Sequence, residues 1–126
     1  MAGKVLYLSP TYGGAVHDKK ICDEEQLTFS RNMTIMADLG FLGLSSESAK
    51  IILPHKQYKN RPLEEKQQAE NTWHAHIRVK VEHTIACIKR FRKVKETYRG
   101  RLYGREDRLM LICCALHNLR IEAKFV

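Results

Sequence analysis

The sequence predicts a single domain with an α/β fold, on three observations. Short segments with the composition of β-strands precede longer segments with helical periodicity, an order typical of α/β proteins. Residues 63–95 contain neither proline nor glycine, which favours one long helix. With 126 residues, of which 44% are hydrophobic, the chain is long enough for one hydrophobic core but not for two.

Three short segments are predicted to form strands. Residues 4–9 are rich in Val, Leu and Tyr and end at Pro10. A second, buried strand is predicted over residues 33–37, and a third over residues 51–53. Three strands are fewer than the roughly five or six of an average sheet. Because the first of them begins at residue 4, we expect the sheet to lack strands on its N-terminal side.

Shorter elements are predicted between these strands and after them. A helix begins near His17 or Asp18, where the aspartate can cap free N–H groups, and runs to about Leu27. Residues 45–50 are expected to form one helical turn. Residues 54–61 are polar and rich in lysine, which indicates an exposed loop.

Two helices are predicted in the C-terminal half. The long helix over residues 63–95 could be continuous or broken near residues 72–73, and a basic connector over residues 96–104 follows it. The last helix is predicted over residues 106–123. Its apolar residues recur at helical spacing, so we expect them to lie in the core: Leu109, Ile112, Cys113, Leu116 and Leu119.

Positive charge is concentrated in one stretch. The chain has 22 Lys and Arg against 14 Asp and Glu, a net charge of +8. Residues 78–105 hold ten basic and two acidic residues, so this stretch carries the whole excess. Phe91, Tyr98 and Tyr103 lie within it as candidate stacking surfaces. The stretch predicts binding to a polyanion, nucleic acid first, with a solvated helix face as the alternative.

Several classes of protein are excluded by the sequence. No apolar run approaches the roughly 18 residues that a membrane-spanning helix needs. The N-terminus has no long apolar region of a secretion signal. The four cysteines form no Cys-x-x-Cys pair, which argues against a zinc module or a disulfide framework and favours a reducing cytoplasm.

Two acidic residues are candidates for chemistry. Asp38 follows a predicted strand, where side chains point toward the ligand-binding crevice of a sheet, although such an aspartate is more often a cap or turn residue. Glu82 lies on the long helix. At about 100° per residue, Glu82, Lys89 and Lys93 fall within roughly 60° of Arg78. Glu82 is therefore either a metal ligand beside a phosphate-binding row or the partner of Arg78 in an i,i+4 ion pair.

Other residue patterns favour structural roles. The side chains of His74 and His76 point about 200° apart on a helix, so we expect exposed histidines rather than a shared metal. Cys113 and Cys114 lie in an apolar helix and are expected to fill the core. Trp73 is expected to pack rather than to stack on bases.

Five ordered segments carry a resemblance to a known family. They are TYGGAVHDKKI, ADLGFLGL, ILPHK, RVKVEHTIACIKRFRKVK and CALHNLR. Together they resemble the C-terminal part of the catalytic domain in DDE superfamily transposases, of the insertion-sequence and Harbinger-like group. The resemblance covers nearly the whole chain. It implies a ribonuclease-H-like fold and an enzyme that cuts and rejoins DNA with Mg²⁺ or Mn²⁺.

The resemblance also assigns roles to residues. Asp38 matches the second catalytic aspartate of the family and Glu82 its catalytic glutamate, both as metal ligands. The DNA backbone would be positioned by basic residues of the charged stretch: Arg78, Lys89, Arg90, Arg92, Lys93 and Lys95. Transposon ends and target DNA would be the partners, in the bacterial cytoplasm, with a homo-oligomer or a separate N-terminal half as further partners.

Asp18 lies with His17 in a segment that matches a recurrent block of the family, and we interpret it as a helix cap or a group supporting the site rather than as a metal ligand. The chain departs from the family in two places. Phe41 stands where the family has tyrosine. The first catalytic aspartate of the family has no counterpart here. The chain therefore resembles a truncated transposase: a decayed copy, a misplaced start, or half of a split frame.

Three functions follow as hypotheses. The chain could be a transposase catalytic domain or part of one, with little activity in isolation. It could be a non-catalytic nucleic-acid-binding module that needs only residues 78–105. It could also be a decayed remnant that folds poorly because its sheet exposes an edge.

Overall fold

The computed structural model describes residues 3–95 and 104–123, without the side chains of Lys93 and Lys95. The chain divides into two compact units. Unit 1 comprises Met1–Thr11 and Ile77–Val126, and unit 2 comprises Tyr12–His76. The predicted basic connector over residues 96–104 lies outside the described residues except for Gly104.

Unit 2 contains a small parallel sheet. Strand β1 (Thr34–Met36) pairs with strand β2 (Lys50–Ile52), and Ile35 lies opposite Ile51. Both strands were predicted to within one residue at each end. The strand over residues 33–37 was predicted to be buried, but in each strand the first residue is exposed and the other two are half-buried. Helices together with a parallel sheet are compatible with the predicted α/β class.

The two strands are joined by a connection without the predicted helical turn at residues 45–50. The Ser46 Oγ accepts hydrogen bonds from the N–H groups of Ser48 at 3.3 Å and of Ala49 at 3.1 Å. A serine hydroxyl that bonds nearby backbone groups competes with helix formation. This competition explains why the segment bends instead.

Helix α1 (Asp18–Glu24) begins where it was predicted and ends three residues early. Gln26, just beyond it, has a φ of 49°, a left-handed conformation that does not continue a helix. The N-cap residue is His17, whose side chain makes no capping hydrogen bond. The interpretation of Asp18 as a helix cap is therefore wrong, since Asp18 is the first residue inside the helix.

Helix α2 (Glu65–Lys89) is continuous across residues 72–73, so the break left open there does not form. It ends at Lys89, and a separate short helix α3 (Arg92–Lys95) follows. The Phe91 N–H bonds the Ile88 carbonyl at 3.1 Å, a tight i to i−3 turn between the two helices. The single helix predicted over residues 63–95 is thus two helices.

Residues 4–9 were predicted to form a strand, and the structure has none there. This segment is held to helix α4 (Arg105–Ala123) by side chains of that helix. The Gly3 carbonyl accepts a hydrogen bond from His117 Nε2 at 2.6 Å, and Val5 bonds Asn118. Because side chains of α4 satisfy the Gly3 carbonyl and both backbone groups of Val5, these groups need no neighbouring strand.

The core of unit 1 forms where α2 and α4 meet the N-terminal segment. Ile88, Cys113 and Cys114 are buried, as was predicted for the two cysteines. Leu109 of the predicted stripe is partly buried and packs against this core. The prediction is wrong for the other three residues, since 57% of Ile112, 47% of Leu116 and 61% of Leu119 is exposed. Helix α4 carries apolar residues on two faces. The face with Cys113 and Cys114 packs against Ile88 of α2, whereas the face with Ile112, Leu116 and Leu119 is exposed.

Candidate DNA-binding and metal-binding residues

Asp38 lies in unit 2, two residues after β1. It is the N-cap of a 3-10 helix (Leu39–Phe41), and its Oδ1 accepts a hydrogen bond from the Leu39 N–H at 2.7 Å. The side chain is exposed. The alternative that an aspartate at this position is a cap is thereby confirmed, and its role as a catalytic group stays a prediction.

Asp18 packs beside the turn that Asp38 opens. A Cβ atom placed on Gly40 would lie 3.0 Å from Asp18 Oδ2, so glycine leaves the space that this carboxylate fills. Helix α1 and the 3-10 helix contact each other. Asp18 is therefore positioned to shape the Asp38 turn from a neighbouring helix.

Glu82 lies on the part of α2 that belongs to unit 1. Arg78 Nε donates a hydrogen bond to Glu82 Oε1 at 3.1 Å, and both side chains are more than half exposed. The ion pair that the sequence offered as one interpretation of Glu82 is thus present. An exposed pair of this kind contributes a few tenths of a kcal/mol, so it leaves the glutamate available for other roles.

The basic residues assigned to DNA are exposed wherever their side chains are described. Arg78 and Lys89 share a face of α2 with Glu82, since they lie about 40° and about 20° of rotation from it, whereas Lys80 lies about 160° away. Arg90 and Arg92 follow in the turn and at the start of α3. Lys93 and Lys95 lie in α3, and their side chains are outside the description.

The predicted metal ligands belong to different units, Asp38 to unit 2 and Glu82 to unit 1. Their sharing of a divalent cation stays a prediction. Among residues 3–95 and 104–123, no group of three or more His, Cys, Asp or Glu side chains could hold a metal ion. The carboxylate oxygens of both residues are nevertheless of the hard type that Mg²⁺ prefers.

Four structural residues were missed or misjudged in the sequence. His117 and Asn118 anchor the N-terminal segment, and their position side by side in the CALHNLR segment was the only signal of a shared role. His74 was expected to be exposed but is buried, with 8% of its surface accessible. Trp73, expected to pack, is 53% exposed.

Comparison with known proteins identifies one family. A family model described as DDE superfamily endonuclease matches residues 1–118. No match was found among curated proteins or among solved structures. In the part of the chain that the structure describes, no helix is both long enough and apolar enough to span a bilayer.

Proposed function

The chain belongs to the DDE superfamily endonucleases, and on that premise we propose that it serves in DNA transposition as part of a catalytic domain. The family implies a DNA substrate and cleavage of its phosphodiester backbone. In this proposal the chain contributes two carboxylates and a basic face to the site. Strand cleavage is completed together with the first catalytic aspartate of the family, which another segment supplies.

Asp38 and Glu82 would hold Mg²⁺ or Mn²⁺ in this site. A bound divalent cation of this kind activates an attacking water or 3′-hydroxyl and stabilises the leaving oxygen of a phosphodiester. Asp18 would keep the Asp38 turn in place through its contact with Gly40. Arg78, besides pairing with Glu82, would bring positive charge to the DNA backbone beside it.

The observation that carries the proposal is the arrangement on α2. Glu82 lies on one exposed face between Arg78 and Lys89. With a rise of about 1.5 Å per residue, these two cations are about 16 Å apart along the helix. Such a row can contact phosphates on both sides of a carboxylate without reading base sequence.

Lys89→Gln tests whether this face binds DNA. We expect weaker binding of a fluorescent duplex, and a slope of log K against log salt that is smaller by about 1, because one phosphate contact is lost. Lys80→Gln is the matched control, since it removes the same charge from the opposite face of the same helix. Equal effects of the two substitutions would contradict the assigned face.

Glu82→Gln tests the chemistry. In a complete enzyme reconstituted with this chain, we expect the variant to lose Mg²⁺-dependent nicking of supercoiled DNA while keeping salt-sensitive binding. Asp38→Asn is expected to behave in the same way. Glu65→Gln, an exposed glutamate at the start of α2, is the control. Unchanged nicking in Glu82→Gln would remove this residue from the site.

A non-catalytic DNA-binding module is the second candidate function. It is favoured by the structural partners that both carboxylates already have, Leu39 N–H for Asp38 and Arg78 for Glu82. In this alternative, DNA binding responds to salt and is indifferent to Mg²⁺ beyond its ionic strength. A Mg²⁺-dependent change in affinity that Asp38→Asn or Glu82→Gln abolishes would decide for the catalytic function.

A further inference from the structure

Unit 1 contains a cavity between the C-terminal end of α2, the turn that follows it, and α4. Its volume is about 210 Å³. Six residues line it: Cys87, Arg90, Phe91, Leu116, His117 and Arg120. Neither the family assignment nor the metal-binding proposal uses this cavity, and Arg120 is not among the residues predicted to bind DNA.

The walls of the cavity combine two kinds of chemistry. Arg90 and Arg120 are exposed and bring two positive charges from different helical segments. Phe91 and Leu116 are apolar and also partly open to solvent, at 37% and 47% exposure. A guanidinium group binds phosphate oxygens, often through two parallel hydrogen bonds, and the face of an aromatic ring stacks on a planar base.

His117 makes the inner wall rigid. Only 3% of the residue is exposed, and its Nε2 donates a hydrogen bond to the Gly3 carbonyl at 2.6 Å. Its Nδ1 is buried and has no hydrogen-bond partner among the described residues. A buried, hydrogen-bonded wall beside exposed arginines is the arrangement of a site that is largely formed before its ligand arrives.

We propose that this cavity binds one unpaired nucleotide of a DNA strand, with its phosphate at Arg90 and Arg120 and its base against Phe91. The proposal rests on the DNA-directed function proposed above and adds a single-strand subsite to it. Pockets for drug-sized ligands measure about 300–1,000 Å³, so a cavity of 210 Å³ suits one nucleotide unit rather than a longer segment. A base inside a duplex has no free face for Phe91, whereas an unpaired base does.

Cys87 provides a direct reporter of occupancy because it lines the cavity and is partly accessible. The other cysteines, Cys22, Cys113 and Cys114, are buried. Burial raises the pKa of each of these three thiols, which lowers the fraction of reactive thiolate. Labelling by N-ethylmaleimide, followed by intact mass, should therefore report on Cys87 first, and Cys87→Ser should remove that fast phase.

The experiment measures Cys87 labelling in the presence of a (dT)8 oligonucleotide, a blunt duplex, thymidine monophosphate or inorganic phosphate. We expect the single strand to slow labelling at saturation and the blunt duplex to leave it unchanged. Phe91→Leu keeps an apolar side chain but removes the aromatic face. This variant is expected to lose roughly five-fold or more in single-strand affinity, as for loss of one stacked base.

Arg120→Gln is compared with Arg108→Gln, which removes the same charge from an exposed residue of α4 away from the cavity. The proposal predicts a larger loss of single-strand affinity and of Cys87 protection for Arg120→Gln. The nucleotide-binding proposal is overturned if the single strand binds without protecting Cys87 and if Arg120→Gln and Arg108→Gln weaken binding equally. This result would leave the proposed function in DNA transposition intact. The nucleotide-binding proposal is also overturned if phosphate alone protects as well as the oligonucleotide. If the unaltered chain bound neither the single strand nor the duplex, the result would instead contradict the proposed function.

Discussion

The side-chain amide of Asn118 forms both backbone hydrogen bonds of Val5. The Val5 N–H donates to Asn118 Oδ1 at 2.8 Å, and Asn118 Nδ2 donates to the Val5 carbonyl at 2.7 Å. One side chain thus does for Val5 what a neighbouring strand does in a sheet. Val5 in turn packs against the core of unit 1, so this pair ties the N-terminal segment to α4.

Asn118→Ala is expected to destabilise unit 1 by about 1–3 kcal/mol, because it leaves a half-buried donor and acceptor without partners. The measurement is the free energy of unfolding from a urea titration followed by circular dichroism. Asn60→Ala, the same substitution in an exposed loop, is the control and should change little. If both variants unfolded at the same urea concentration, the amide clamp would not contribute to stability.

The same arrangement recurs in unit 2 with different residues. Asn71 on α2 accepts a hydrogen bond from the His55 N–H at 2.8 Å and donates one to the His55 carbonyl at 3.0 Å. Asn71→Ala is expected to cost a similar 1–3 kcal/mol in this unit. Trp73 is the only tryptophan and lies in unit 2, so its fluorescence reports the change. If Asn118→Ala shifted the unfolding transition followed by Trp73 fluorescence as much as Asn71→Ala does, the two asparagines would not stabilise separate units.

Local patterns were sufficient to predict some elements. The strands of unit 2 and helix α4 lie close to their predicted positions, because apolar periodicity and turn residues determine them locally. The segment over residues 4–9 was predicted wrongly, since its hydrogen-bond partner Asn118 is 113 positions away from Val5. No glycine or proline marks the end of α2 at Lys89.

The local positions of the two candidate metal ligands were predictable, whereas their roles in a site stay predictions. Asp38 follows a strand and Glu82 lies on a helix beside Arg78, as the patterns indicated. The contact between Asp18 and Gly40 could not be predicted, because it depends on how α1 packs against the 3-10 helix. The only sign of the cavity in the sequence was Phe91, an aromatic residue among basic ones. Arg120, which also lines the cavity, could not be linked to it because it lies outside the charged stretch of residues 78–105.

Gly40→Ala tests the packing of Asp18. The added methyl group would lie 3.0 Å from Asp18 Oδ2, so the carboxylate must move and unit 2 should lose about 1 kcal/mol. The backbone of Gly40 is not left-handed, so strain at this position is not the cause. Asp18→Ala removes the obstacle, and the double variant is expected to be more stable than the sum of the single effects predicts. If the changes in the free energy of unfolding from the two single substitutions simply added up in the double variant, as measured by urea titration, the contact between Asp18 and residue 40 would be contradicted.

Ile88→Ala and Ile112→Ala compare the same substitution at different burial. Ile88 is 7% exposed in the core of unit 1, and its truncation is expected to cost about 2–5 kcal/mol. Ile112 is 57% exposed, and its truncation is expected to change the free energy of unfolding by about 0.5 kcal/mol or less. Urea titrations of both variants provide the comparison. A large cost for Ile112→Ala would show that this face of α4 is covered in solution.

Glu82→Gln is expected to leave folding almost unchanged, which makes it a clean probe of function. The Arg78–Glu82 pair is exposed on both sides, at 54% and 57%, so its loss should cost only about 0.3–0.5 kcal/mol. The residual effect should disappear at about 1 M salt, where the Debye length is near 3 Å. Thermal unfolding of the variant at low and high salt measures this. If Glu82→Gln lost several kcal/mol in the free energy of unfolding, Glu82 would have a structural role, and a loss of nicking could not be assigned to catalysis. If the free energy of unfolding is almost unchanged, the nicking assay reports on the chemistry alone.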